Sequence, residues 1–315
     1  MTDSAYFTPP HALKTPVLLL VFNRLETTKR VFDAIRRAEP PRLYIACDGP
    51  RALNEDDAKN VAAVRTFVSE SVDWKCDVKT LFRDVNLGCK YAVSSAITWF
   101  YENEDEGIVL EDDCLPSQSF FWFCEELLER YKYDMRIWHI SGDNFQGNTH
   151  RGSGSYYFSR YNHVWGWATW ADRWSEYDVE MSSFGQFERE NLISSIFERK
   201  EAQKYWLSKF RGVYSNEIDT WDYQWTYTVL CNGGLSVLPN KNLVSNIGFG
   251  VEATHTKDIE SQHSKIPNRE IELPIEHPLF VVREVRADEY TASKMYFSRA
   301  IYSRIIRLAR RFWPG

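Results

Sequence analysis

Gly107-Ile108-Val109-Leu110-Glu111-Asp112-Asp113 is an apolar run that ends on three adjacent carboxylates. A short apolar run without alternation reads as a strand buried on both faces, as in a parallel sheet. Three like charges at its end cost energy unless something positive sits among them. A divalent cation carrying a diphosphate would supply that charge, and carboxylates suit Mg2+ or Mn2+ rather than zinc. The competing reading is a solvated acidic turn before Pro116.

Upstream, the same pattern recurs. Val17-Leu18-Leu19-Leu20-Val21-Phe22 ends in Asn23-Arg24, and Leu43-Tyr44-Ile45-Ala46-Cys47 ends in Asp48-Gly49-Pro50. A third strand is expected over about Val78 to Phe82. Between them lie helical patterns, with Val31, Ile35 and Ala38 on one face, then Val61, Val64, Val68 and Val72, then Lys90 to Tyr101. Strands alternating with helices predict an α/β sandwich with a mostly parallel central sheet. In such sheets the ligand crevice lies beyond the carboxyl ends of the strands. Asn23-Arg24, Asp48-Gly49 and the acidic triad would therefore converge on one crevice, which favours a site over a solvated turn. No G-x-G-x-x-G or G-K-[ST] loop is present, so neither a dinucleotide fold nor a P-loop is supported.

The pattern changes after Pro116. Phe120, Phe121, Cys124, Leu127, Leu128 and Tyr131 make a helical apolar face, and Arg136 to Ser141 reads as a strand. Residues 144–160 are Gly/Ser-rich and read as a loop, as does the packed Trp165-Gly166-Trp167 with Trp170. Residues 185–210 read as helical. No clean linker appears. The expected division is a nucleotide half (15–115) and an acceptor half (116–288) of one domain, followed by a basic segment (289–315).

The 315 residues are 43% hydrophobic and 26% charged, an ordinary globular composition. The net charge of −6 argues against a nucleic-acid partner. The 12 Trp, 17 Tyr and 19 Phe are a high aromatic content; rings with an apolar face and a polar edge suit stacking on sugars or bases, and the alternative is an aromatic core, to which most of them must belong. The six cysteines show no C-x-x-C pair and no metal spacing, so free thiols in a reducing compartment are expected. No signal-peptide pattern and no apolar run of membrane-span length is visible. A cytoplasmic location is the expectation, with possible peripheral attachment to the membrane.

The chain resembles GT-A glycosyltransferases of the nucleotide-diphospho-sugar transferase superfamily, in particular the N-acetylglucosaminyltransferase I-like families and their bacterial relatives. The resemblance rests on Val17 to Arg24, Asp48, Asn86-Leu87-Gly88 with Ala92, Glu111-Asp112-Asp113 with Phe120-Phe121, and Trp221-Asp222. It spans about residues 15–255. A simple D-x-D is absent; the E-D-D form stands in its place. The resemblance implies a Rossmann-like α/β/α sandwich and an inverting, metal-dependent transfer from a nucleotide sugar, UDP-linked by preference, to a glycan or lipid-linked saccharide. It implies Asp113 as the ligand of Mn2+ or Mg2+, with Glu111 and Asp112 on the donor's sugar and ribose. Asp48 would read the nucleobase, unless it forms an Asx turn with Gly49 and Pro50. Asn23 also belongs to the expected donor site. Arg24, Arg83 and Lys90 would pair with phosphate. A late histidine, His255, would reach the metal or diphosphate.

An inverting transfer needs a carboxylate to take the acceptor hydroxyl's proton. Asp222 is the candidate, shielded by Trp221 and Trp225. Asp219 is its rival if both lie on one helix face, and a helix cap is its structural alternative. The segment 294–313 has a helical stripe of Phe297, Ile301, Ile305, Leu308 and Phe312 opposite five arginines, which suits an anionic membrane surface. The alternatives are a sugar-phosphate nucleotidyltransferase and a non-catalytic membrane-associated binding module. Against the first, Asn23-Arg24-Leu25-Glu26 stands where those enzymes carry a Gly-rich loop.

Overall fold

A computed structural model describes residues 7–147, 149–248 and 266–296. Its elements are β1 (Val17–Val21), α1 (Leu25–Ala38), β2 (Arg42–Cys47), α2 (Glu55–Glu70), β3 (Asp77–Phe82), α3 (Gly88–Tyr101) and β4 (Glu106–Glu111). Next come β5 (Cys114–Pro116), α4 (Ser119–Tyr131), β6 (Ile137–Ser141), β7 (Tyr156–Ser159), β8 (Trp167–Trp170) and α5 (Ala171–Trp174). The remainder are α6 (Phe184–Arg189), α7 (Ile193–Ile196), α8 (Lys200–Tyr214), α9 (Asp222–Cys231), β9 (Leu235–Pro239), β10 (Val244–Asn246), α10 (Val285–Thr291) and a short π-helix over Ala292–Tyr296.

Strand β1 is central because of its side chains. All five are buried, and alternate residues face different layers. Val17, Leu19 and Val21 pack into a core with Val31, Ile35 and Val64 of α1 and α2. Leu18 and Leu20 pack on the other face with Ala96, Ile97 and Phe100 of α3. Each such buried aliphatic side chain contributes about 2 kcal/mol of transfer free energy. Helices on both faces make the α/β/α sandwich.

One sheet of eight strands runs in the order β3-β2-β1-β4-β8-β6-β9-β7. The first four are mutually parallel. Strand β8 is antiparallel to both β4 and β6, β9 is parallel to β6, and β7 closes the far edge antiparallel to β9. Only β7 and β8 run against the rest. The architecture is the expected α/β/α sandwich, Rossmann-like in its mostly parallel sheet. The two expected halves share this sheet, because β8 joins β4 to β6. A separate ribbon pairs β5 with β10, placing Asn246 opposite Cys114 just after the acidic triad.

Several local expectations are corrected. The stretch 144–160 is not all loop: Tyr156–Ser159 is strand β7, fully buried, because its aromatic run can pair along β9. Trp167–Trp170 is likewise strand β8, not a packed loop. The helical region 185–210 is broken into α6, α7 and α8, with Asn191 at a positive φ of 54° between the first two. His255 and the segment 294–313 from residue 297 onward lie outside the described residues. Among the described residues, no helix is long and apolar enough to cross a membrane.

Candidate functional site

Strands β1, β2 and β4 end side by side, and their carboxyl ends open into a cavity of about 540 Å³. The start of α3, residues 219–222 and the half-buried Trp165 complete its walls. Asn23, Arg24, Asp48, Arg83, Glu111, Asp112, Asp113, Asp219 and Asp222 all border it. The parallel register is the cause: Leu20 lies opposite both Ala46 and Glu111, so the residues after each strand emerge on one edge.

The positive charge among the acids is Arg24, the residue that precedes α1. Its guanidinium donates to Asp112 and, at 3.0 Å, to Asp113. The Phe22 backbone N–H, 3.3 Å away, also donates to Asp112. Burial pushes the Asp112 carboxyl up to about 6 against the pull of Arg24. At neutral pH the pair is therefore still guanidinium and carboxylate. The Asp113 carbonyl accepts from the Ile247 N–H at 2.8 Å, which draws the end of β10 over the triad. Gly248 comes next: a Cβ there would sit 2.1 Å from Asp113 Oδ2 and 2.7 Å from Arg24 Nη1, so no larger residue fits the observed packing.

Glu111 has no hydrogen-bond partner among the described residues. Burial, then the charges of Asp113, Asp112 and Asp222, push its carboxyl up to about 8.

Asp48 is committed to its own surroundings. It accepts from the N–H groups of Gly49 (2.9 Å), Leu87 (3.0 Å) and Gly88 (3.2 Å) and from Asn86 Nδ2 (2.9 Å). The carboxylate thus ties the 86–88 loop to the end of β2, where Pro50 has no N–H for an Asx turn, and these donors use about four acceptor sites, all that a carboxylate offers. Asn23 donates to Asp57 at 2.8 Å, beside the Arg51–Asp57 ion pair. Arg83 donates to Ser95 at 2.8 Å.

Lys90 is not brought to the cavity. It is buried, and its ammonium turns to Asn216 (2.9 Å) and Glu180 (3.4 Å). Asp219 does not share a helix face with Asp222, because α9 begins at Asp222. Its carboxylate instead accepts from the N–H groups of Cys89 (3.1 Å) and Lys90 (2.9 Å), capping the first turn of α3. Gly88 takes φ +76° directly beneath it, a conformation that suits glycine.

Asp222 opens α9, and its carboxylate accepts from the Thr220 hydroxyl. The flanking tryptophans are buried, and both belong to an aromatic stack behind the cavity. Trp221 lies 5.6 Å from Trp167, and the Trp225 N–H donates to His139 Nδ1 at 3.1 Å. The other His139 nitrogen donates to the His163 carbonyl at 2.8 Å. Burial pushes His139 down to about 4, so it is a neutral core residue. Arg51, Asn86, Asn246 and Gly248 also border the cavity without having been singled out as donor-site residues. Asn86 carried a signal, since it stands two residues before Gly88; the others carried none.

Among the described residues, no group of three or more His, Cys, Asp or Glu is arranged as a metal cage. The carboxylate oxygens of Glu111, Asp112 and Asp113 that border the cavity are the ligand type a hard cation takes.

The chain is thus an α/β/α sandwich with a mostly parallel sheet and an acid-lined cavity at the carboxyl edge of that sheet. No protein family and no curated protein matches its sequence. Among solved structures it is similar to a mannosyltransferase from Pyrobaculum calidifontis in complex with GDP-Man and Mn2+, at 11% identity and TM-score 0.37, over 53% of this chain and 47% of that one. It is also similar to HddC from Yersinia pseudotuberculosis, at 11% identity and TM-score 0.32, over 52% of this chain and 80% of that one. A UDP-glucose pyrophosphorylase complexed with UDP-glucose is 9% identical with TM-score 0.29, over 51% and 78%.

Proposed function

We propose that the chain is a metal-dependent, inverting glycosyltransferase that moves a hexosyl or N-acetylhexosaminyl group from a nucleotide diphosphate sugar to a glycan or lipid-linked saccharide. The observation that carries this reading is the meeting of the Glu111-Asp112-Asp113 strand end, Arg24 and Asp222 in one cavity. Acids alone would suit a cation, and a guanidinium alone would suit a phosphate. A site that binds both needs both.

Asp113 would hold Mn2+ or Mg2+ together with the diphosphate, and the ion would neutralise charge on the leaving group. His255 is a further proposed ligand of the same ion. Arg24 and Arg83 offer N–H donors to phosphate oxygens, and Asn23 and Asp48 shape the wall beside them. Glu111 and Asp112 orient the sugar and ribose. Asp222 accepts the proton of the acceptor hydroxyl as that oxygen bonds to the sugar's anomeric carbon and the nucleoside diphosphate leaves. The buried tryptophans behind Asp222 hold the start of α9 in place and exclude water from that side. A cytoplasmic site of action is part of the proposal.

The test is a panel of UDP-, GDP- and dTDP-sugars incubated with the protein and Mn2+, with released nucleoside diphosphate as the readout. Release from one member, suppressed by Asp113→Ala, is the expected result. No release and no thermal shift with any member would overturn the reading. Formation of nucleoside triphosphate from a nucleotide sugar and pyrophosphate would replace it with a nucleotidyltransferase.

A further inference from the structure

Asp222 is the first residue of α9, and the residue before it, Trp221, has no side chain that caps the helix. Uncapped helix ends fray, because their first N–H groups lack partners within the helix. The helical bond from the Trp225 N–H to the Trp221 carbonyl is also long, 3.4 Å. A general base has to keep its place all the same, since a misplacement of about 1 Å can cost a hundredfold in rate. A second donor holds this turn. The Tyr177 hydroxyl donates at 3.1 Å to the Trp221 carbonyl, the oxygen of the peptide that joins Trp221 to Asp222. Burial pushes the phenol above the ordinary tyrosine range, so it is a protonated donor at neutral pH. Tyr177 is itself fixed. Its ring stacks on Trp174, with centroids 4.3 Å apart and planes 10° from parallel, and the Trp174 N–H donates to Thr98 of α3 at 3.1 Å. The Trp221 carbonyl therefore has one donor inside α9 and one anchored on α3.

We propose that Tyr177 is a positioning residue for Asp222: its hydroxyl holds the peptide that carries the carboxylate, so the first turn of α9 stays formed while the proton moves. The inference rests on the reading of Asp222 as the base. Tyr177 does not border the cavity, so it acts through Asp222 and not on a substrate. The neighbouring peptide is held in the same way, since the buried Gln224 amide donates to the Thr220 carbonyl at 2.7 Å. That bond comes from α9 itself and moves with the helix. The Tyr177 bond comes from outside and ties the helix start to the sandwich.

The test is a double-mutant cycle on the full chain, with the panel of UDP-, GDP- and dTDP-sugars and Mn2+ and released nucleoside diphosphate as the readout. Tyr177→Phe keeps the ring stack and loses only the hydroxyl. It is expected to lower kcat roughly tenfold with the KM for the nucleotide sugar unchanged. In the Asp222→Asn background the same substitution is expected to change nothing further, because the group it positions is already gone. An unchanged kcat in Tyr177→Phe overturns the proposal, whether or not the thermal midpoint falls. An equal loss in the Asp222→Asn background also overturns it, since Tyr177 would then act independently of the base. Either result leaves the catalytic reading standing, provided the wild type turns over a nucleotide sugar. No turnover by the wild type with any member of the panel overturns both.

Discussion

Arg24 places one guanidinium on two carboxylates, Asp112 and Asp113. Removing it leaves acids with little access to water and no counter-charge. Because Arg24 keeps 21% of its side chain exposed, Arg24→Ala should cost less than a fully buried pair would, about 2 kcal/mol in urea unfolding. The same variant should weaken nucleoside diphosphate binding in calorimetry. Asp222→Asn should keep donor binding and lower transfer by roughly a hundredfold or more, as expected for loss of a general base. Normal transfer by that variant would remove Asp222 from the mechanism. Both residues were legible in the sequence, one at a strand end and one beside a tryptophan. That Arg24 and the triad touch was not, since 88 residues separate Arg24 from Asp112.

Helix α3 shows what an element hides. Its first turn is capped by Asp219, 130 residues further along from Cys89, so no local motif announces the cap. Asp219→Ala should lower stability by about 1 kcal/mol, read as a shift in the urea midpoint, while Asp219→Asn should lose less. If Asp219→Asn instead abolished transfer with stability intact, its role would be chemical. Strands β7 and β8 escaped the sequence for a related reason. Each is only four residues long, and its partners β9, β6 and β4 are distant in the chain, so pairing and not local pattern defines it. By contrast β1, β2 and β4 are buried on both faces and show as continuous apolar runs.

At the scale of the molecule, α10 is locked to the sheet edge through Asp288, which accepts from Ser159 at 2.5 Å and pairs with Arg283. Burial pushes the Asp288 carboxyl up to about 7, above its unfolded value near 3.9. Between those values the folded chain keeps a proton that the unfolded chain has lost. This group therefore costs stability progressively as pH rises from about 4 to about 7. The thermal midpoint of Asp288→Asn relative to wild type should rise over that interval and level off above it. A constant difference across pH would show that Asp288 does not titrate there.

By itself the sequence determined the α/β class, the buried parallel strands and the acidic end of β4, because burial on both faces and charge at a strand end are properties of neighbours in the chain. Only the tertiary structure decided that Arg24 neutralises that end, that Asp48 and Asp219 serve the loops and helix around the cavity, and that Lys90 faces away from it. Those outcomes depend on which donors and acceptors three-dimensional packing brings within about 3 Å, the reach of a hydrogen bond, and sequence spacing does not encode that distance.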